Sequence, residues 1–222
     1  MTRGVRQVIV SRSRETLGGV YTPRPFAVDD ATARSLLAEV EVAQLVTATD
    51  SGPLATLMPW VVDLDSDVVV GHVARANPQW STSWHGTALV LATGPNGYVS
   101  PSWYASKAEH GRVVPTWDYV SLQVHGELVV HDDADWVADV VRRLTDRHEQ
   151  RRTEPWRVDD APTDYLEQQL RGIVGIEVRV ERIEVSVKMS QNRTDADRDG
   201  VIAGLEADGR ADLADLVRRS AT

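Results

Sequence analysis

The feature that most limits what this chain can become is the run from Ile173 to Val187. There Ile176, Val178 and Val180, then Ile183, Val185 and Val187, alternate with charged or polar neighbours. A period of two sustained over that length is a strand with one face on a core and the other toward water. Tyr119 to His131 repeats the pattern, with Gly126 read as a bulge or bend. Val42–Thr49, Leu54–Val62 and Val68–Val73 read as shorter strands joined by the turns Asp50-Ser51-Gly52-Pro53 and Asp63–Asp67. Ala88–Thr93 is a further strand, ended by Gly94-Pro95-Asn96-Gly97, and residues 98–118 resist assignment. Helices are predicted after Asp29 or Asp30, from Pro78 through Trp80 and Trp84, from the Asp132-Asp133 cap to Glu149, from Thr163 to Arg171, and in the charged tail from Thr194 to Arg219. Six or seven strands, mostly joined as hairpins with helices inserted between them, predict an α+β protein built on an antiparallel barrel with peripheral helices.

Charge and composition narrow the partners. The 222 residues carry a net charge of −9 and no cysteine, which excludes disulfides and thiolate metal sites. Arg3, Arg6, Arg12 and Arg14 against Glu15 give the first nineteen residues +3, so the remainder carries −12. A body that acidic repels a phosphate backbone, and no helix-turn-helix pair stands out, so direct DNA binding is not expected. The leader's apolar stretch, Val8 to Val10, is too short for a signal-peptide core, and no run is long enough to span a bilayer. The expectation is a cytoplasmic protein with no membrane partner, in which 1–19 form a flexible leader and 20–222 a single domain. Only two of the 24 basic residues are lysines, Lys107 and Lys188. In an arginine-rich background each either marks a place where a compact ammonium is wanted or survives by chance.

Three segments carry unusual residues. The first runs from Gly71 to Trp80 and holds His72, Arg75, Asn77 and Trp80 where a strand gives way to a helix start, a setting suited to an anion. The second, Ser100 to Trp117, gathers Ser102, Trp103, Tyr104, Lys107, Glu109, His110 and Trp117. Aromatic walls with a few convergent polar groups are how small-molecule pockets are built, and Lys107 suits a phosphate or a reduced-flavin anion. The third is Lys188-Met189-Ser190-Gln191-Asn192-Arg193, which follows the last strand. The six histidines show no HxH, HxxxH or HExxH spacing, so no metal site is expected. Ser100 or Ser102 with His110 lacks a GxSxG elbow, and no catalytic residue is assigned. The acidic groups Asp159, Asp160, Asp195, Asp197 and Asp199, with Arg198, lack a calcium-loop pattern and read as a solvated face.

At these segments the chain resembles the PaiB family, proteins called transcriptional regulators and related in fold to FMN-binding split barrels. The resemblance rests on YTPRPF near residue 21, GHVARANPQW at 71–80, SPSWYASKAEHG at 100–111, VVPTWDY at 113–119, LTDRHE at 144–149, PWRVDDAP at 155–162 and KMSQNR at 188–193. It implies a split barrel whose cofactor sites lie at a homodimer interface. It implies FMN as cofactor, with deazaflavin F420 or haem as alternatives hosted by similar barrels. Phosphate or ribityl contacts would come from Thr56, His72, Arg75 and Asn77, beside Trp80. Trp103 and Trp117 would wall the ring, and Ser102, Lys107, Lys188, Gln191 and Asn192 would supply hydrogen bonds to it or to a second ligand. Where the family pattern reads ATHLP, this chain has Ala55-Thr56-Leu57-Met58-Pro59, so an expected histidine is Leu57. Two functions follow from the resemblance: flavin-dependent redox chemistry, alone or linked to transcriptional control, and non-catalytic ligand sensing by a regulator. If the protein is an enzyme, a flavin-type oxidoreductase is the expectation.

Overall fold

The computed structural model describes the backbone of residues 9–10 and the whole of residues 19–220. The expected leader otherwise falls outside the described residues. The elements in chain order are β1 (Ile9–Val10), α1 (Asp30–Ala38), β2 (Val42–Thr49), β3 (Gly52–Asp63), β4 (Val68–Ala74), β5 (His85–Val99), α2 (Ser106–His110), β6 (Thr116–His131), α3 (Ala134–Glu149), α4 (Thr163–Arg171), β7 (Ile173–Lys188), α5 (Asp195–Ala207) and α6 (Ala211–Arg219). The strand order is β1-β7-β4-β3-β2-β5-β6, and β6 also pairs with β7, so the six long strands close into a barrel. β2 with β3, β2 with β5, β3 with β4 and β4 with β7 pair antiparallel, while β1 lies parallel to Arg182–Ile183.

The described chain divides into two compact units. The first comprises 9–10, 30–92 and 123–183; the second comprises 19–29, 93–122 and 184–220. In the first, α3 lays Val140 and Leu144 on Val61 of β3 and Val70 of β4, with Val68 and Trp136 beside them. Asp133 caps α3 by accepting from the Trp136 N–H at 2.8 Å. Arg147 of the same helix donates to the carbonyls of Ala38 and Val40, which lie at and just past the end of α1. Gly126 lets β6 approach β7 and is no bend: a Cβ there would lie 2.1 Å from the Arg179 carbonyl oxygen.

The second unit is organised round α5 and α6, whose Val201, Leu205, Leu213, Ala214 and Val217 are buried. Gly200 and Gly204 of α5 seat Trp103, and a Cβ at Gly204 would fall 2.2 Å from its indole. The tail is therefore not a wholly solvated face. Asp197 is buried and accepts from the N–H and hydroxyl of Ser106 at 2.9 Å, and the buried Arg198 donates to Val217 O at 2.6 Å.

Other sequence expectations change in identifiable ways. The helix after Asn77 is one 3-10 turn, Pro78–Trp80, and Trp84 lies outside it. Gly94-Pro95-Asn96-Gly97 makes no turn, since β5 runs on to Val99. Those glycines serve close contact: a Cβ at Gly94 would touch Val120 at 2.9 Å, and one at Gly97 would touch Leu213 at 2.7 Å. The unassigned 98–118 stretch holds a 3-10 turn at Pro101–Trp103, then α2, then the start of β6.

Candidate functional site

In the first unit the turn after β4 builds a polar network whose centre is Gln79, a residue the sequence reading passed over. Gln79 is 2% exposed. Its amide nitrogen donates to Leu45 O at 3.1 Å, Thr47 Oγ1 at 3.0 Å and Leu54 O at 3.4 Å, and its Oε1 accepts from Thr56 Oγ1 at 2.6 Å. Asn77 caps the turn by accepting from the Gln79 N–H at 2.9 Å, and its Nδ2 donates to Thr56 Oγ1 at 2.9 Å. Thr56 and Asn77, expected together, are thus brought together, with Gln79 as the piece that joins them to β2.

Arg75 and His72 have other surroundings. Arg75 spans Asp132, the carbonyls of Arg171 and Ile173, and the face of Trp80, whose ring centroid lies 5.9 Å away. Its hydrogen bond to Asp132 raises the guanidinium and holds the Asp132 carboxyl below the usual carboxylate range. Trp80 returns its indole N–H to Arg75 O at 2.8 Å. Among the described residues these bonds leave one guanidinium N–H of Arg75 without a partner. His72 has no hydrogen-bond partner for its buried Nδ1 among the described residues, and burial pushes its pKa down.

In the second unit the expected residues separate by role. Lys107 is exposed and donates to the exposed Ser102 hydroxyl at 3.0 Å. Trp117 is 51% exposed and its indole N–H is held by Asn96 Oδ1 at 3.1 Å. Tyr98, 49% exposed and unforeseen as a site residue, meets the Trp117 ring edge-on at 6.4 Å. Arg210 donates to Asn96 O at 2.9 Å, and with Tyr98, Trp117, Gly97, Leu205 and Asp208 it lines a recess of about 430 Å³. Trp103 instead packs on α5, as described. Lys188 is committed to Thr116 Oγ1 and to Trp117 O at 2.9 Å. Gln191 closes its own turn through Met189 N at 2.7 Å and Val187 O at 2.6 Å, and Asn192 is exposed.

The KMSQNR turn is anchored from below. Ser190, at φ 58, donates to Asp118 Oδ2 at 2.8 Å, and Asp118 is 0% exposed. Burial pushes the Asp118 carboxyl up, against the Ser190 hydrogen bond and the charges of Lys188 and Arg193. Arg193 lies 4.5 Å above the Tyr104 ring.

These features define a split-barrel protein of α+β class with exposed aromatic rings in one unit and a polar network joined by the buried Gln79 in the other. Residues 20–182 match the family described as "Putative FMN-binding domain". The chain is 32% identical over 191 residues to the Bacillus subtilis protease synthase and sporulation protein PAI 2, covering 84% of this chain and 89% of that one. It belongs to the PaiB family of this FMN-binding class. Two solved structures share the fold. One is a conserved hypothetical protein of Mycobacterium tuberculosis, with TM-score 0.55, 11% identity, and coverage of 79% of this chain and 94% of that one. The other is an FAD and heme binding protein of Mycobacterium smegmatis, with TM-score 0.54, 19% identity, and coverage of 79% and 78%. Among the described residues no helix is long and apolar enough to cross a membrane.

Proposed function

We propose that this chain binds FMN as a homodimer and serves flavin-dependent redox chemistry or redox-linked transcriptional regulation in the cytoplasm. The observation that carries the reading is the Trp117–Tyr98 pair within a chain of an FMN-binding family. A ring held by Asn96 yet left half-exposed loses little conformational freedom when a planar group stacks on it. Bound FMN supplies one- and two-electron transfer, and the protein supplies binding, orientation and electrostatics.

The chain's own groups fit a flavin in part. In the second unit Lys107 and Ser102 offer donors to an anionic oxygen, and Trp117 with Tyr98 offers apolar ring surface. Lys188, Gln191 and Trp103 act through packing and turn closure, which hold Trp117 and the segment around Lys107 in position. Asn192 is a further exposed donor. Taken by itself, the first unit offers Thr56, Asn77, Arg75 and Trp80 as the contacts that the resemblance implies for a phosphate or ribityl group. A haem reading loses one candidate ligand at Leu57.

The test is the absorption spectrum of the purified protein after addition of excess FMN and removal of the unbound fraction. The expected result is flavin bands at about one per subunit. Lys107→Ala and Trp117→Ala are each expected to weaken FMN binding about tenfold, the loss of one charge-assisted hydrogen bond or one stacking surface. Affinity unchanged in both variants would remove the second-unit contacts from the reading. A protein that takes up no flavin but binds a ligand and changes its affinity for DNA or a partner would be the non-catalytic sensor.

The homodimer reading has its own support in the first unit. Cross-strand register puts Gln44 opposite Leu57 and Leu91, and Val46 opposite Ala55 and Leu89. That outward face, with Val42 at its margin, is uncharged, and Leu57 at its middle is 67% exposed. Two acidic copies can meet on such a face without charge repulsion. Leu57→Asp is expected to weaken dimerisation roughly tenfold to a hundredfold, read by sedimentation over a concentration series. A wild-type chain that stays monomeric at micromolar concentration would end the homodimer reading.

A further inference from the structure

A cleft of about 1090 Å³ lies in the first unit, between α3, the Val158–Asp160 turn and α4, with the ends of β4 and β7 behind it. Its charge and its apolar surface are segregated. Every charged residue along it, among them Arg75, Asp132, Arg142 and Asp159, is exposed, while Val137, Val141, Val158, Leu166, Leu170 and Ile173 are buried or half-buried. Much of the rim charge is already matched: Arg75 with Asp132, Arg142 with Asp159 at 3.8 Å, and Asp133 with the start of α3.

Two observations say that the interior is unfinished. α4 has no buried residue, and its Leu166 and Leu170, four apart on one face, line the cleft half-buried. His72 lies half-buried beside these apolar groups, with its buried Nδ1 unpartnered among the described residues. Burial disfavours its charged form, so it meets a ligand as a neutral imidazole. A buried polar atom without a partner is costly, and a ligand group that satisfies it recovers that cost.

We infer that this cleft is a binding site for a small, neutral, mainly apolar molecule with a single hydrogen-bonding group that engages His72. The apolar floor excludes a strongly charged ligand, which would lose its hydration there without an opposite charge to meet. The volume suits a ligand of cofactor or drug size. The cleft shares Arg75, at its exposed rim, with the FMN contacts proposed above, while its apolar interior beside His72 stands whether or not flavin binds.

The experiment titrates the full-length protein with 1-naphthol, a neutral two-ring body with one hydroxyl, and follows its fluorescence. Saturable binding is expected. Naphthalene, which lacks the hydroxyl, should bind roughly three- to tenfold more weakly to the wild type, and His72→Phe should erase that difference. Ala138→Trp, which fills the cleft from α3, should weaken 1-naphthol at least about tenfold. Equal affinity for the two probes in the wild type needs no variant to interpret and would overturn the role of His72. Binding that is not saturable, or that survives Ala138→Trp in a folded variant, would overturn the site itself. Displacement of 1-naphthol by FMN would make the cleft the flavin's own place and also overturn the inference, whereas failure of FMN to bind with probe binding intact would leave it standing.

Discussion

Gly126→Ala is expected to lower the stability of the protein by about 3 kcal/mol. The added carbon would sit 2.1 Å from the Arg179 carbonyl oxygen, 2.8 Å from the carbonyl carbon and 3.0 Å from Val178 Cγ1. Two of these three neighbours are backbone, so no rotamer change relieves the overlap. β7 is also unable to retreat freely, because Arg179 and Val178 pair with Val68 and Val69 of β4 on its other side. In a close-packed interior such an insertion must displace a strand. The midpoint of thermal unfolding should fall by roughly 6–12 °C for a chain of this size. A midpoint within one degree of wild type would mean that β6 and β7 do not approach as described.

Gln79→Ala is expected to cost about 2–4 kcal/mol, clearly more than Asn77→Ala. The side-chain amide of Gln79 serves Leu45 O, Thr47 Oγ1 and Leu54 O as donor and Thr56 Oγ1 as acceptor, all from a nearly inaccessible position. Its removal strands several polar groups at once, with a cavity beside them. Asn77 contributes a cap to a single turn and one bond to Thr56, worth about 1 kcal/mol. Denaturant unfolding of the two variants side by side is the check. Equal losses would show that the network is not organised round Gln79.

Much of the barrel was legible because period-two alternation is a local signal. β2, β4, β6 and β7 follow from it to within a few residues, and Asp133 marks the start of α3. Glycine misled where it served contact and not turning. The run from Gly94 to Gly97 has turn composition, yet the reason for each glycine is a neighbour, Val120 or Leu213, far away in sequence. The candidate site divides along the same line. Thr56 and Asn77 were named, but Gln79 between the motif residues was not, because an amide looks the same in sequence whether it is exposed or buried. Trp103 read as a pocket wall, and its seat on Gly200 and Gly204 depends on residues about a hundred positions later. Asp197 and Arg198 read as solvated because charge is the default mark of a surface, and only the fold supplies Ser106 and Val217 as their partners. Tyr98 lacked a motif, and its pairing with Trp117 arises between strands.

The two units interleave along the chain: β5, β6 and β7 each begin in one and end in the other. Neither unit is a continuous stretch of polypeptide. A single recombination crossover therefore cannot transfer one of them intact to another gene, and a single proteolytic cut cannot release one. Several coordinated breaks in the chain are the least that could exchange or excise either unit whole.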